Sequence, residues 1–166
     1  MTYIIGQVLG IVAVILGFIS FQMKSPGRIL LFQVITAFVF SVHYFLIGAY
    51  TAVALNLMAS AQCVFYYFRD KRGSRSLAEP VIFTVLVIVA GILTWEGWYS
   101  VFIMSGLVVN SVSLAFSDAQ KIRIAMFIKS PLCLLYNIFV LSGGGIIYEC
   151  AVLVSSVIGI LRNKSK

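Results

Sequence analysis

Charged residues are scarce in this chain of 166 residues, because Asp, Glu, Lys and Arg together make up only 10% of it. A protein surface in water carries about 25–35% of these residues. Hydrophobic residues instead account for 61% of the sequence. This composition excludes an ordinary soluble globular domain.

The sequence also has few residues suited to catalysis or metal binding. Its three cysteines, Cys63, Cys133 and Cys150, lie in apolar stretches without CxxC spacing, so we interpret them as small packing residues. It offers no evident nucleophile with a base, no metal-ligand cluster and no Gly-rich phosphate loop, so we expect neither enzyme activity nor a cofactor. The net charge of +7 comes from basic residues dispersed among apolar runs, which speaks against a nucleic-acid partner.

Long apolar runs occupy almost the whole chain. About 20 mostly apolar residues are needed to cross a hydrocarbon layer of about 30 Å. Such runs are found at roughly 3–22, 29–48, 50–68, 80–95, 98–117, 122–142 and 145–162. The first lacks the basic start and the A-x-A site of a signal peptide, so it should stay in the mature protein. The pattern predicts an all-α membrane protein with seven transmembrane helices.

Basic residues fall in alternate connections between these runs. They are Lys24 and Arg28, then Arg69, Lys71, Arg72 and Arg75, then Lys121 and Arg123, and finally Arg162, Lys164 and Lys166. Because Lys and Arg mark the cytoplasmic side of a membrane, this alternation predicts an N-out, C-in orientation. The aromatic residues Trp95, Trp98 and Tyr99 would form part of the outer belt.

The first three and last three runs match when residue numbers are shifted by 93. The shift pairs Ser20 with Ser113, Arg28 with Lys121, Ile29 with Ile122, His43-Tyr44 with Tyr136-Asn137, Asn56 with Glu149, and Arg69 with Arg162. A three-helix unit that starts outside ends inside, so a second copy in the same orientation needs one helix to return the chain. We therefore predict a parallel 3+1+3 repeat: a bundle at 1–72, a linker helix at 73–96 and a second bundle at 97–166.

The chain resembles the YgjV family of bacterial inner-membrane proteins, which is similar to the SWEET and PQ-loop transporter superfamily. The resemblance rests on the segment Val42–Tyr50, on Tyr136-Asn137, on the glycines 143–145 and on Glu149. It implies a multi-pass protein of the inner (plasma) membrane with a transporter fold. The sequence departs from SWEET proteins in having no Pro-Gln dipeptide, and only Pro131 lies inside a predicted helix.

Several polar residues within the apolar runs lie at one depth. By helix rise, His43, Asn56, Asn137 and Glu149 all lie about 20–22 Å from the basic ends of their helices, in the outer half of the membrane. Buried polar residues usually face a bundle interior or a water-filled cavity. The SWEET resemblance implies that Asn56 and Glu149 contact a substrate. The alternatives are a structural carboxyl for Glu149 and satisfied interhelical hydrogen bonds for the other three.

Aromatic residues and one lysine complete the predicted site. Tyr44 and Tyr136 are next to His43 and Asn137 in the sequence and are candidates to stack on a ring-shaped solute, as are Tyr50, Phe65, Tyr66 and Tyr148. Lys129 is close enough to the basic end for its stem to snorkel to the cytoplasmic surface, which is our preferred interpretation. Its alternative position is an inward-facing vestibule.

The repeat and its polar residues favour a transporter that moves a small polar solute, sugar-like or vitamin- or nucleoside-like, by alternating access between the two bundles. The alternative is a non-transporting accessory or receptor-like subunit. A retinal receptor would need a lysine within the seventh helix, whereas Lys164 follows that helix. The expected partners are the solute and the lipid bilayer, and a homodimer is compatible with the sequence.

Overall fold

The computed structural model describes residues 1–22, 26–72, 76, 78–113 and 119–164, and the side chains of 1–19, 31–69, 76, 78–113, 124–158, 160 and 161. This part of the chain contains seven α-helices and no strand. The helices are α1 (Thr2–Gln22), α2 (Pro26–Ile47), α3 (Tyr50–Arg72), α4 (Ala78–Leu93), α5 (Ser100–Ser113), α6 (Ala119–Phe139) and α7 (Gly143–Lys164). The prediction of an all-helical chain with seven helices is confirmed.

Most of these helices are long enough to cross a bilayer. The helices α1, α2, α3, α6 and α7 have 21, 22, 23, 21 and 22 residues, or about 31–35 Å at 1.5 Å per residue. Within the described side chains, Thr2–Ile19 and Tyr50–Arg69 meet the length and hydropathy of a membrane span, and the other helices contribute shorter apolar stretches. The predicted end of the fifth run, 114–117, lies outside the described residues.

The outer surface of the bundle is apolar. Large side chains on different helices point outward, among them Phe38, Ile82 and Val154, with exposed fractions of 57%, 56% and 60%. Polar side chains such as His43 and Asn137 are instead buried. This arrangement reverses that of a soluble protein and suits a bundle surrounded by lipid.

The helices pack in two groups of three with α4 between them. The helix α2 packs against α1 and α3, and α6 packs against α5 and α7. The two groups meet where α1 contacts α7 and α3 contacts α5, while α4 packs against α3 and α5. The α1–α7 crossing is close because Gly10 and Gly144 face each other: a Cβ on Gly144 would lie 2.6 Å from the Gly10 backbone.

The α2–α3 and α6–α7 turns have the same backbone pattern. Gly48 has φ of +82° and Leu141, 93 positions later, has φ of +53°. The Ala49 N–H donates to the Tyr44 carbonyl, and the Ser142 N–H donates to the Asn137 carbonyl. Each of these groups again lies 93 positions from its counterpart.

Both turns lie at one end of the bundle, together with the start of α1 and the α4–α5 connection; we call this the turn end. Gln7 on α1 accepts a hydrogen bond from the Gly143 N–H at 3.0 Å and donates to the Leu141 carbonyl at 2.8 Å. Glu96, in the α4–α5 connection, accepts from the Tyr50 N–H at 2.5 Å. The first residues of α3 and α7 are thus capped by side chains from other elements.

The start of α7 differs from the predicted boundary of 145. The helix begins at Gly143 because Gln7 satisfies the Gly143 N–H and the Ser142 hydroxyl accepts from the Gly145 N–H at 3.1 Å. Ser142 therefore acts as an N-cap. The helix α6 ends at Phe139 rather than at 142 because Leu141 adopts the left-handed conformation.

At the opposite end, which we call the basic end, Arg69 on α3 forms an ion pair with Glu79 on α4 at 3.1 Å. The Arg69 guanidinium also lies 4.2 Å from the centre of the Tyr66 ring. The side chains of the other residues used to predict orientation lie outside the described part: Lys24, Arg28, Lys71, Arg72, Arg75, Lys121, Arg123, Arg162, Lys164 and Lys166.

Candidate functional site

A cavity of about 350 Å³ lies inside the bundle, between α2, α3, α5, α6 and α7. Its wall combines apolar side chains with an unusual number of polar ones for a membrane interior. Five of the seven side chains singled out from the sequence contribute to it: Tyr44, Asn56, Lys129, Asn137 and Glu149. The structure thus gathers these residues around one space.

Glu149 is the acidic group of this cavity. It projects from the second turn of α7 and is only 5% exposed. Its Oε2 atom is buried and has no hydrogen-bond partner in the described part of the chain. The neighbouring Ser130 hydroxyl is also buried and unpartnered by hydrogen-bond geometry. Because a buried carboxylate oxygen without a donor is costly, this atom is a candidate contact for a bound solute.

Lys129 is the basic group of the cavity. It lies near the middle of α6, two residues before Pro131, and its side chain lines the cavity wall. The side chain is partly exposed as a whole, and a place in the cavity wall is what the vestibule alternative describes. Lys129 and Glu149 attract each other electrostatically across the cavity. The Lys129 nitrogen and the Glu149 oxygens are more than 4 Å apart, so these residues do not form an ion pair as Arg69 and Glu79 do.

Asn56 and Asn137 differ in what they can offer a solute. The Asn56 Nδ2 donates to the Ala52 carbonyl at 2.9 Å, and its Oδ1 acceptor has no hydrogen-bond partner among the described residues. The Asn137 Nδ2 donates to the Cys133 carbonyl at 2.9 Å, while its Oδ1 accepts from the Tyr44 hydroxyl at 2.7 Å. Asn137 and Tyr44 therefore satisfy each other at the cavity wall.

His43 is not among the described residues that line the cavity. It is fully buried, and its Nδ1 and Nε2 atoms lie 2.7 Å from the Gly6 carbonyl and the Ser142 hydroxyl. The carbonyl can only accept, so Nδ1 carries the proton and Nε2 accepts from Ser142. His43 thus joins α1 to the start of α7 at the turn end.

Tyr136 also lies outside the described cavity wall. Its side chain is fully buried, and its hydroxyl donates to the Glu96 Oε2 at 3.2 Å. The same Glu96 oxygen accepts from the Thr51 N–H at 3.2 Å. Tyr136 therefore joins α6 to the α4–α5 connection and to α3, again at the turn end.

The cavity contains polar residues that the sequence argument missed. The additional ones are Gln33, Thr36, Asn110, Tyr148, Ser155 and Ser156, of which Tyr148 had been named only as a stacking candidate. The Thr36 hydroxyl is buried without a partner in the described part of the chain. Thr36 lies 93 positions before Lys129, so the repeat shift is the sequence signal that points to it.

Comparison with known proteins gives one result. Neither a curated protein nor a solved structure matches this chain. A family model described as a bacterial inner membrane protein matches residues 4–166. That span includes six of the described helices completely and all but the first two residues of α1, so the chain belongs to the YgjV family and is a multi-pass protein of the bacterial inner membrane.

Proposed function

We propose that this protein is a carrier for a small polar solute that works by alternating access between two triple-helix bundles, 1–72 and 97–166, joined by a linker helix in 73–96. The observation that carries the proposal is the cavity, because its wall is built by helices of both groups and holds many polar side chains inside the bundle. A space of about 350 Å³ can hold one small molecule.

The matching turns support a parallel repeat. Gly48 and Leu141 are the described residues with positive φ in the two turns, and they are 93 positions apart. The packing of the helices agrees with this. In a repeat, α1 corresponds to α5 and α3 corresponds to α7, so the α1–α7 contact has its counterpart in the α3–α5 contact, and both are present. A parallel repeat with a site at the interface of its halves is a recurring transporter design.

The cavity wall also follows this repeat. Asn56 with Glu149 and Thr36 with Lys129 are pairs of wall residues separated by 93 positions. Tyr44 and Asn137 form a third pair, and they are hydrogen-bonded to each other at a separation of 93. Equivalent residues of two repeats meet only near the axis that relates them, so the site would lie on that axis.

The turn end is closed by polar contacts between the two halves. His43 and Ser142 join α2 to the start of α7, and Gln7 joins α1 to the α6–α7 turn. Glu96 of the connection links the halves indirectly, because it accepts from both Tyr136 on α6 and the Thr51 N–H on α3. With the positive-inside orientation this end faces outward, so the structure would represent a state closed to the outside. Opening this end and closing the other around the solute would complete the transport cycle.

The resemblance to SWEET and PQ-loop transporters agrees with this mechanism. SWEET proteins use proline hinges in four helices, whereas Pro131 in α6 is the interior proline of the described helices. It lies between the cavity residues Lys129 and Cys133 and lacks the N–H that would bond back to the preceding turn. Bending of α6 at Pro131 would move the cavity wall directly.

Uptake into liposomes tests the proposal. The purified protein in proteoliposomes should take up at least one member of a panel of radiolabelled sugars, vitamins, nucleosides and amino acids with saturable kinetics. The variant Val152→Trp should abolish uptake, because Val152 is 4% exposed and lines the cavity. The control Val154→Trp, on the same helix but 60% exposed, should leave it unchanged. Equal uptake by liposomes without protein for every solute would refute the carrier function.

A further inference from the structure

The polar atoms of the cavity separate into an acceptor group and a donor group. The acceptor group consists of the unpartnered Glu149 Oε2 and the free Oδ1 of Asn56. Both residues lie six positions after the first residue of their helices, α7 and α3. They are equivalent under the shift of 93 positions, so they approach the cavity from opposite sides at one level.

The donor group consists of the Lys129 ammonium and the Thr36 hydroxyl. Thr36 is 4% exposed, and its hydroxyl has no partner in the described part of the chain. These two residues are also equivalent under the same shift, on α6 and α2. By helix rise, Lys129 lies about 15 Å from the turn end of α6, whereas Glu149 lies about 9 Å from the start of α7. The Cα atoms of Lys129 and Glu149 are therefore offset by about 6 Å along the bundle axis.

A separation of this kind leaves both charges incompletely satisfied. Lys129 and Glu149 line the same cavity but do not form an ion pair. Removing a charge from water is unfavourable unless a partner of opposite charge or several hydrogen bonds replace the water. A neutral polyol could supply hydrogen bonds but no charge. A solute with an ammonium and a carboxylate a few ångströms apart supplies a partner for each.

We infer that the solute of this carrier is a zwitterion of the amino-acid type, whose ammonium binds Glu149 and Asn56 and whose carboxylate binds Lys129 and Thr36. This inference rests on the proposed carrier function and adds the substrate class. The carboxylate oxygens accept from the Lys129 ammonium and the Thr36 hydroxyl. The ammonium donates to the Glu149 Oε2 and the Asn56 Oδ1.

The remaining wall favours an apolar side chain on this solute. Phe40, Leu107 and Val152 line the same cavity and come from α2, α5 and α7. Phe40 contacts the Tyr148 ring edge to face, with ring centres 5.1 Å apart, which fixes an aromatic surface beside Glu149. A small apolar amino acid such as leucine or methionine would place its side chain there and its charged groups on the two polar groups.

Ligand analogues test this inference on the purified wild-type protein. The twenty L-amino acids and a set of neutral sugars and nucleosides are first compared by thermal stabilisation in detergent. We expect at least one apolar amino acid to stabilise the protein, and we expect none of the sugars and nucleosides to do so. Its amide, which lacks the carboxylate, and its des-amino acid, which lacks the ammonium, should each bind at least about tenfold more weakly by calorimetry.

Variants assign the two ends of the ligand. The Glu149→Gln variant should bind the amino acid no better than it binds the des-amino analogue. The Lys129→Gln variant should bind the amino acid no better than it binds the amide. If the two charges were only structural, these variants would change the thermal stability but leave the preference for the zwitterion intact. The double variant Lys129→Gln/Glu149→Gln removes both charges together and controls for the effect of leaving one charge unbalanced.

The possible failures are distinguishable. If a sugar or nucleoside stabilised the protein and were taken up, and no amino acid did either, the zwitterion inference would be overturned and the carrier function would stand. Analogues that bind as well as the parent amino acid would also overturn it. Absence of protein-dependent uptake for every solute class would instead refute the carrier function.

Discussion

Replacement of Gly144 by alanine should strongly destabilise the protein, because Gly144 is the point at which α7 crosses α1. A Cβ at this position would lie 2.6 Å from both the Cα and the carbonyl carbon of Gly10, and 2.9 Å from its carbonyl oxygen. These are backbone atoms, which cannot rotate away as a side chain would. The two helices would have to separate by about 1 Å to restore a normal carbon–carbon contact of about 3.5–4 Å.

The neighbouring Gly143 provides a matched control in the same helical turn. A Cβ there would meet the Gln7 Oε1 at 3.2 Å, the end of a flexible side chain. Both substitutions gain the helix preference of alanine over glycine, up to about 1 kcal/mol. The difference between the two variants therefore isolates the clash, which we expect to cost about 2–3 kcal/mol, within the usual cost of overpacking.

Equilibrium unfolding in mixed micelles by a denaturing detergent, followed by far-ultraviolet circular dichroism, measures this difference. Gly144→Ala should unfold at a lower denaturant fraction than both the wild type and Gly143→Ala. If Gly144→Ala is as stable as Gly143→Ala, the close α1–α7 crossing is wrong, and with it the contact that joins the first and last helices.

Three further predictions concern the turn end and the orientation of the chain in the membrane. Leu141→Gly should stabilise the protein by about 1 kcal/mol in the same assay, because Leu141 has φ of +53° and glycine adopts this conformation without cost; a clear loss of stability would contradict it. Ser142→Ala should lower the free energy of unfolding by about 2 kcal/mol, because it removes the partners of His43 and of the Gly145 N–H. The control Ser41→Ala loses only a bond within its own helix and should cost less than about 1 kcal/mol. Equal costs would contradict a capping role for Ser142. Leu141→Cys in a background without Cys150 should react from outside the cell with a membrane-impermeant maleimide, because Leu141 is 68% exposed. A reporter fused after Lys166 should lie in the cytoplasm. Reaction of the cysteine only from the inside would reverse the N-out orientation.

The helices were largely predictable because length and hydropathy determine what can cross a bilayer. The boundaries between α6 and α7 were less so. Gly143 and Gly144 were left between the sixth and seventh predicted helices, since consecutive glycines usually mark a turn. Their helical conformation depends on Gln7 and Gly10, which are more than 130 positions away in the sequence. A capping or packing partner at that distance leaves no local signal.

The site was predictable in depth but not in direction. Counting helix rise placed Asn137 at the common depth of the predicted site, and both Asn137 and its hydrogen-bonded partner Tyr44 line the cavity. Their neighbours His43 and Tyr136 lie at the same level but point about 100° away around the helix. Because α2 is apolar on all sides, its sequence does not indicate which face meets α1 and which meets the cavity. Only the packing of the helices separates the two directions.

Lys129 illustrates the same limit for a long side chain. Its distance from the basic residues made snorkelling the natural expectation, because a lysine stem can cover that distance. The structure places Lys129 in the wall of the cavity that Glu149 also lines, a direction that the sequence does not indicate. The closeness of the α5–α6 packing contributes to this position, since Gly106 on α5 lies against Cys133 and the Lys129 backbone.

Solute counterflow in proteoliposomes tests the carrier mechanism most directly. Vesicles are loaded with a high concentration of unlabelled solute and diluted into a trace of the labelled solute, so that uptake of label depends on exchange through the protein. Alternating access predicts transient accumulation of label above its external concentration, lost in Val152→Trp and retained in Val154→Trp. Uptake that only reaches the external concentration, with or without preloaded solute, would contradict a carrier in which two bundles move around one central site.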